Sequence, residues 1–295
     1  MKKVWGVAFG SLLVVIFLFF QGCGDTNVFD GMSDDGGDAA RIEQIKQDLN
    51  SGNFDAVIAA LGGRTGLTEQ ERRYLASAYM GRAGFDTLKL LEEFAKEDET
   101  DSDDVDAFDA IAGVFGNDVD PNQFDYKLKQ VGEALEVLKD PQLNRASGQD
   151  RYLDSSASDD IRLQRGIYAA IHIILNICLA IHDAYYPELH YIPMTSEGIR
   201  AALNGNYSTI EIGNDSLLQF LNDDLAMVQD GVAALAGGNQ IGQNEIEGEN
   251  KNDVQRELNQ FMGDIGYLPA SPEDPSPNSV TADELSAYLT ELILP

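Results

Sequence analysis

Four polar side chains between residues 160 and 186 share a spacing that could line one face: Arg165, His172, Asn176 and Asp183. They are separated by seven, four and seven residues. At about 100° per residue they fall within about 40° of one another on one helix face, a stripe shared with Ala169 and Ala180. Away from it, Ile167, Ile171, Ile174, Ile177, Cys178 and Ile181 make a broad apolar sector. A guanidinium, an imidazole, an amide and a carboxylate in a row can grip a polar ligand through hydrogen bonds. The same stripe can equally be the thin wet face of an amphipathic helix. Both readings stay open. What separates them is the setting, because solvent faces elsewhere in this chain are rich in Asp and Glu.

Other chemistries find less. Cys178 and His182 stand at i, i+4, a chelating spacing, but a closed zinc site takes about four ligands, and the chain has three histidines in all. His172 and His182 lie about 15 Å apart along a helix, too far to share an ion. Asp118, Asp120 and Asn122 match the first oxygen positions of a calcium loop. Gln123 replaces its turn glycine, and Lys129 stands where a bidentate Glu is needed. Pro121 favours the plainer reading, aspartates capping a helix that starts there. No Gly-x-Ser-x-Gly elbow, phosphate-binding glycine loop or His-Glu-x-x-His is present. No catalytic residue, metal or cofactor is expected.

The charge balance excludes a further class. Twenty basic residues face fifty acidic ones, for a formal net charge of −30. Such a surface repels phosphate backbones, so no nucleic-acid partner is expected; it attracts cations and basic partners. Apolar residues make up 43% of the chain, enough for a full core. The cysteines are Cys23 and Cys178, so packing rather than disulfide bonds must hold the fold.

The elements that must carry these residues read as helices. Ile42, Ile45 and Leu49 share a face over residues 41–49; Ser51-Gly52-Asn53 breaks that helix, and Phe54 to Leu61 forms the next. Thr68 and Glu71 have the capping-box spacing for a third, which ends at Gly84 before Phe85 to Phe94 resumes. Further helices are predicted over 105–114, 124–138, 160–186, 196–203, 216–236, 252–262 and 282–292, the last capped by Thr281 with Glu284. Tyr207 to Ile212 alternates like a strand, and one strand makes no sheet. The class is all-α.

Asn53-Phe54-Asp55-Ala56-Val57 lines up with Gly84-Phe85-Asp86-Thr87-Leu88. The pattern resembles a tetratricopeptide repeat, with Phe54 and Phe85 at the aromatic position, small Ala76 and Ala78 in the earlier helix, and Tyr79 at its late aromatic position. The motif's opening Trp and closing Pro are missing and the period is short. The resemblance covers residues 39–96 and implies antiparallel helical hairpins stacked as a repeat array, continued by a helical body over 97–270 around the long central helix. It also implies a partner surface at Tyr74, Tyr79 and Phe85. A Pro-rich linker (271–280) and a docking helix (281–295) complete the plan.

The N-terminus supplies an address. Lys2 and Lys3 precede an uncharged run from Val4 to Phe20, closed by Gln21-Gly22-Cys23. This is the layout of a secretory signal, short for a membrane span. Gly22-Cys23 resembles the lipobox of bacterial lipoproteins, though Phe20 and Gln21 depart from its usual Leu and small residue. The resemblance implies removal of residues 1–22 and acylation of Cys23, including a palmitate-type chain, with residues 23–38 as a flexible acidic tether. An uncleaved N-terminal anchor is the alternative. Either way the body is exported and held at a membrane; the expected address is the outer membrane, facing the periplasm.

Taken together, the expectation is a non-catalytic helical scaffold that binds a protein or peptide partner. The alternative is a solute-binding accessory, similar in architecture to the periplasmic T components of tripartite transporters, with its ligand along the 160–186 helix.

Overall fold

The computed structural model describes residues 36–85, 112–139, 157–212, 215–235, 259, 261–267 and 279–294. Cys23, the tether up to residue 35, residues 86–94 of the expected fourth helix, the acidic loop at 97–106 and the Pro-rich linker up to residue 278 lie outside them. The chain divides into two units, Met1–Gln44 and Ile45–Pro295. Of the first, only the opening turns of one helix are described. The second holds everything discussed below.

The all-α class holds. Among the described residues the helices with both ends placed are α1 (Gly36–Asn50), α2 (Phe54–Leu61), α3 (Glu69–Arg82), α4 (Pro121–Leu138), α5 (Asp159–Tyr185), α6 (Ser196–Leu203), α7 (Asp215–Leu235) and α8 (Ala282–Ile293), and residues 112–115 and 261–264 are helical too. α1 begins at Gly36, inside the stretch read as tether. Among the described residues, strand is confined to β1 (Asp118–Val119) and β2 (Ile192–Pro193), paired antiparallel with Val119 opposite Ile192. Met194 N–H donates to Asn117 O at 2.8 Å and extends this ribbon by one bond.

Local signals set most helix ends. Thr68 and Glu71 form the full capping box of α3, and Thr281 and Glu284 that of α8. Asp120 caps α4: its Oδ1 accepts from the N–H groups of Asn122 and Gln123, with Pro121 at the first helical position. The aspartates of the calcium-like loop therefore cap and pair. α3 ends in a Schellman turn, with Gly84 at φ +88°, Gly84 N–H donating to Gly81 O and Phe85 N–H to Met80 O. α1 ends the same way at Gly52, where Asn53 N–H donates to Asp48 O. The equivalent positions of the two turns are thus Gly52 with Gly84 and Asn53 with Phe85. That is one residue out of the register read from the sequence.

α2 and α3 pack as a hairpin, α3 packs on α4, and α4 on α5. Gly81 makes the hairpin possible, because a Cβ there would stand 2.3 Å from the Phe54 ring. The most extensive pairing joins α5 to α7. Ile171, Ile174, Ile177, Cys178 and Ile181 of α5 lie in one continuous core with Val131, Leu135, Leu221, Leu225 and Val228. α5 is long and apolar enough to cross a membrane, and it is packed here against α3, α4 and α7.

The segment 207–212, which alternates like a strand, forms none. Ile210 and Ile212 turn inward while Thr209 and Glu211 are exposed, so the alternation is real over 209–212. The backbone is held by helix side chains instead: Ile210 N–H donates to Thr290 Oγ1 at 2.9 Å, and Ser286 Oγ donates to Ile210 O at 2.5 Å. Two hydroxyls one turn apart on α8 stand in for a neighbouring strand.

Candidate functional site

The polar stripe of α5 faces α7, which runs antiparallel to it. Arg162 and Arg165 converge on Asp230: Arg162 Nε and Nη2 donate to Oδ1 at 2.9 and 2.8 Å, and Arg165 Nη2 donates to Oδ2 at 2.6 Å. Arg162 also reaches Asp159 Oδ1 at 2.9 Å. Next along the seam, Gly166 and Gly231 touch backbone to backbone, and a Cβ on either would lie 2.9 Å from the other's Cα. Farther on, His172 Nδ1 lies 2.6 Å from Asp224 Oδ2. The absence of side chains at the glycine contact brings the helices close enough for short side-chain bonds on both sides of it.

Burial sharpens these pairs. Arg165 is 1% exposed and its Nε finds no partner, so Asp230 is the anion that its charge depends on. Burial pushes the Asp224 carboxyl above its ordinary range, while the His172 ring and then Lys139 pull it back. Asn176 Nδ2 donates to His172 O at 2.8 Å, back along its own helix. Asp183 is exposed beyond the seam, 3.0 Å from His182 Nδ1.

The structure therefore brings Arg165, buried, and His172, half-buried, onto the seam with α7, keeps the half-buried Asn176 bonded within its own helix, and leaves Asp183 outside. Sequence reasoning missed Arg162, Asp224 and Asp230. The signal was there in part: Asp224 and Asp230 lie one residue out of step with a helical repeat, amid the apolar residues of α7. Among the described residues His172 Nε2 makes no hydrogen bond, and a Cβ on Gly132 of α4 would stand 3.9 Å from it.

On another flank α5 meets α3 through neutral groups inside and an ion pair nearer the surface. Gln164 Nε2 donates to Ser77 Oγ at 3.0 Å and to the Tyr168 hydroxyl at 2.9 Å. Arg73 reaches Asp160 at 2.6 Å nearer the surface. Cys178 is fully buried and carries no disulfide. His182 lies 3.3 Å from Leu189 O through Nε2, securing the turn after α5. Among the described residues no three His, Cys, Asp or Glu side chains group around a possible ion.

The residues expected to form a partner surface are spread through the hairpin. Tyr74 is half-buried, and its hydroxyl accepts from Gln70 Nε2 at 2.9 Å. Tyr79 is half-buried against the core, and burial followed by the Glu133 charge raises its hydroxyl's pKa. Phe85 is 5% exposed and packs edge-on against Phe115 at 4.0 Å, so it faces the interior. Among the described residues the large exposed apolar side chains are Tyr126, Tyr191, Tyr207 and Phe220. Tyr126 of α4 sits beside the hairpin, accepting from Arg82 Nε at 2.8 Å, with that guanidinium 5.7 Å from its ring centre. Asp55 of α2 completes the group, 3.4 Å from Arg82.

No family model, curated protein or solved structure matches this chain.

Proposed function

We propose that the chain is an exported lipoprotein, anchored through acylated Cys23, whose helical body is a non-catalytic scaffold for a protein or peptide partner. One observation supports this above the rest. Arg162, Arg165 and His172 of the long helix are engaged in joining α5 to α7, whereas the α2–α3–α4 edge keeps Tyr126 and Asp55 exposed around a partly exposed Arg82. An aromatic ring fixed by a guanidinium is a low-entropy anchor of the kind that concentrates binding energy in interfaces. Placing a photo-cross-linking amino acid at position 126 in the native host tests the reading. A discrete protein adduct is expected there; its absence, with cross-links forming equally from a control position such as Glu197, would count against the scaffold. Cys23→Ala tests the anchor separately: the precursor should stay uncleaved and take up no fatty-acid label.

A second reading, a solute-binding accessory, draws support from His172, whose Nε2 makes no hydrogen bond among the described residues while Asp224 holds its other nitrogen. Native mass spectrometry of protein purified from the host distinguishes the two. A retained small molecule favours the solute reading, and a co-purifying protein favours the scaffold.

A further inference from the structure

We infer that Asn204 is a self-modification site, at which the Gly205 amide nitrogen closes on the Asn204 side chain and water then opens the ring to aspartate or isoaspartate. Asn204-Gly205 is the chain's sole Asn-Gly dipeptide. It lies in an exposed turn between α6 and the 206–212 segment. Asn204 has φ +52° and ψ +33°, and Gly205 has φ +67°. Asn206 N–H donates to Leu203 O at 3.2 Å. Together these define a type I′ turn, for which Asn-Gly is the favoured central pair. Asn204 is the one non-glycine residue at positive φ among those described.

The turn type matters for the chemistry. Ring closure needs the Gly205 nitrogen on the same side of the Cα–C bond as the Asn204 side chain. At ψ +33° it points away. The required geometry is that of a type II′ turn, which keeps the first φ near +60° and moves its ψ to about −120°. Asn204 already has that φ, so the single movement required is a flip of the 204–205 peptide plane. Nothing holds the plane: among the described residues neither Gly205 N–H nor Asn204 O makes a hydrogen bond, and the Asn204 side chain makes none. A Cβ on Gly205 would meet nothing within 4 Å, so the space is open as well.

The steps balance with water as the one co-reactant. The Gly205 nitrogen gives its proton to solvent base and bonds to Asn204 Cγ; the Cγ–Nδ2 bond breaks and ammonia leaves. Water then adds to either ring carbonyl, giving aspartate or, with the main chain rerouted through the side chain, isoaspartate. Isoaspartate lengthens the backbone inside the turn closed by the Asn206–Leu203 bond. Either product puts a negative charge at the C-terminal end of α6, where the helix dipole opposes it. α6 in turn holds α8, through packing and through Arg200 Nε, which donates to Ile293 O at 2.6 Å. Conversion at Asn204 therefore loosens the C-terminal helix.

The test incubates the full-length chain at mildly alkaline pH beside a synthetic peptide of residues 199–211, and maps both for loss of ammonia and for isoaspartate. Asn204 should convert within about tenfold of the peptide's rate, as expected if the flip costs little. Asn206, whose next residue is the bulky Tyr207, should stay intact. Asn204→Gly, which tolerates positive φ, should abolish conversion without unfolding the chain. A folded-state rate more than about tenfold below the peptide's, or equal conversion at Asn206, would overturn the inference.

Discussion

Gly166 and Gly231 are the point at which the two principal helices touch: each has the space for the other's backbone and none for a Cβ, which would lie 2.9 Å from the opposing Cα. The neighbours on that side are main-chain atoms, Met227 O and Arg162 O, which cannot rotate away. Gly231→Ala should therefore push α5 and α7 apart and lower stability by about 1–3 kcal/mol, as overpacking does. Gly63→Ala, in open space, should change it by less than about 0.5 kcal/mol. Denaturant midpoints of the two variants check this.

Asp230 compensates two guanidinium groups at once, and one of them is inside the protein. Asp230→Ala should cost about 3–5 kcal/mol, because it strands the Arg165 charge where water cannot reach it. Arg162→Ala should cost less, since Arg165 keeps its partner. The double variant Arg165→Met/Asp230→Leu should recover much of the loss. If the double variant is as unstable as Asp230→Ala alone, the stranded charge is not the cause.

Acid–base behaviour should report Asp224. Its carboxyl pKa is raised in the fold, chiefly by burial, so the native state holds that proton more tightly than the unfolded chain does. The contribution is complete below the unfolded carboxylate value, about 3.9, and is lost as pH rises through the higher native value. Wild type should consequently lose stability relative to Asp224→Asn as pH rises out of the acid range. Denaturation curves for both proteins across that range give the sign directly, and an opposite slope would refute the assignment.

Thr68→Ala should cost about 1 kcal/mol, the usual loss of a capping side chain. It also frees Glu71, which is buried and pairs with Arg64 at 2.9 Å. Thr281→Ala should cost about as much. Its effect should concentrate in α8, read as faster hydrogen exchange in residues 282–293 than in α5.

What the sequence determined about this protein is what depends on near neighbours. The capping boxes at Thr68 and Thr281, the Phe54–Leu61 and Ser196–Leu203 helices, and the Asp120 cap follow from signals within a few residues, because a cap bonds to backbone two or three positions away. The stripe of α5 was legible as a polar face. Its meaning was not, because the partners of Arg165 and His172 lie 65 and 52 residues on. Whether such a face meets water, a ligand or another helix is decided by what packs over it. Tyr207 to Ile212 makes the same point: its alternation fixed which side chains go inward, and Ser286 and Thr290, far along the chain, took up the backbone bonds a strand would have used. An aromatic after a glycine turn fits a repeat motif's partner surface, which places Phe85 outside, whereas the fold packs it against Phe115. Periodicity is a property of one segment, and burial is a property of two; the tertiary structure supplied the second.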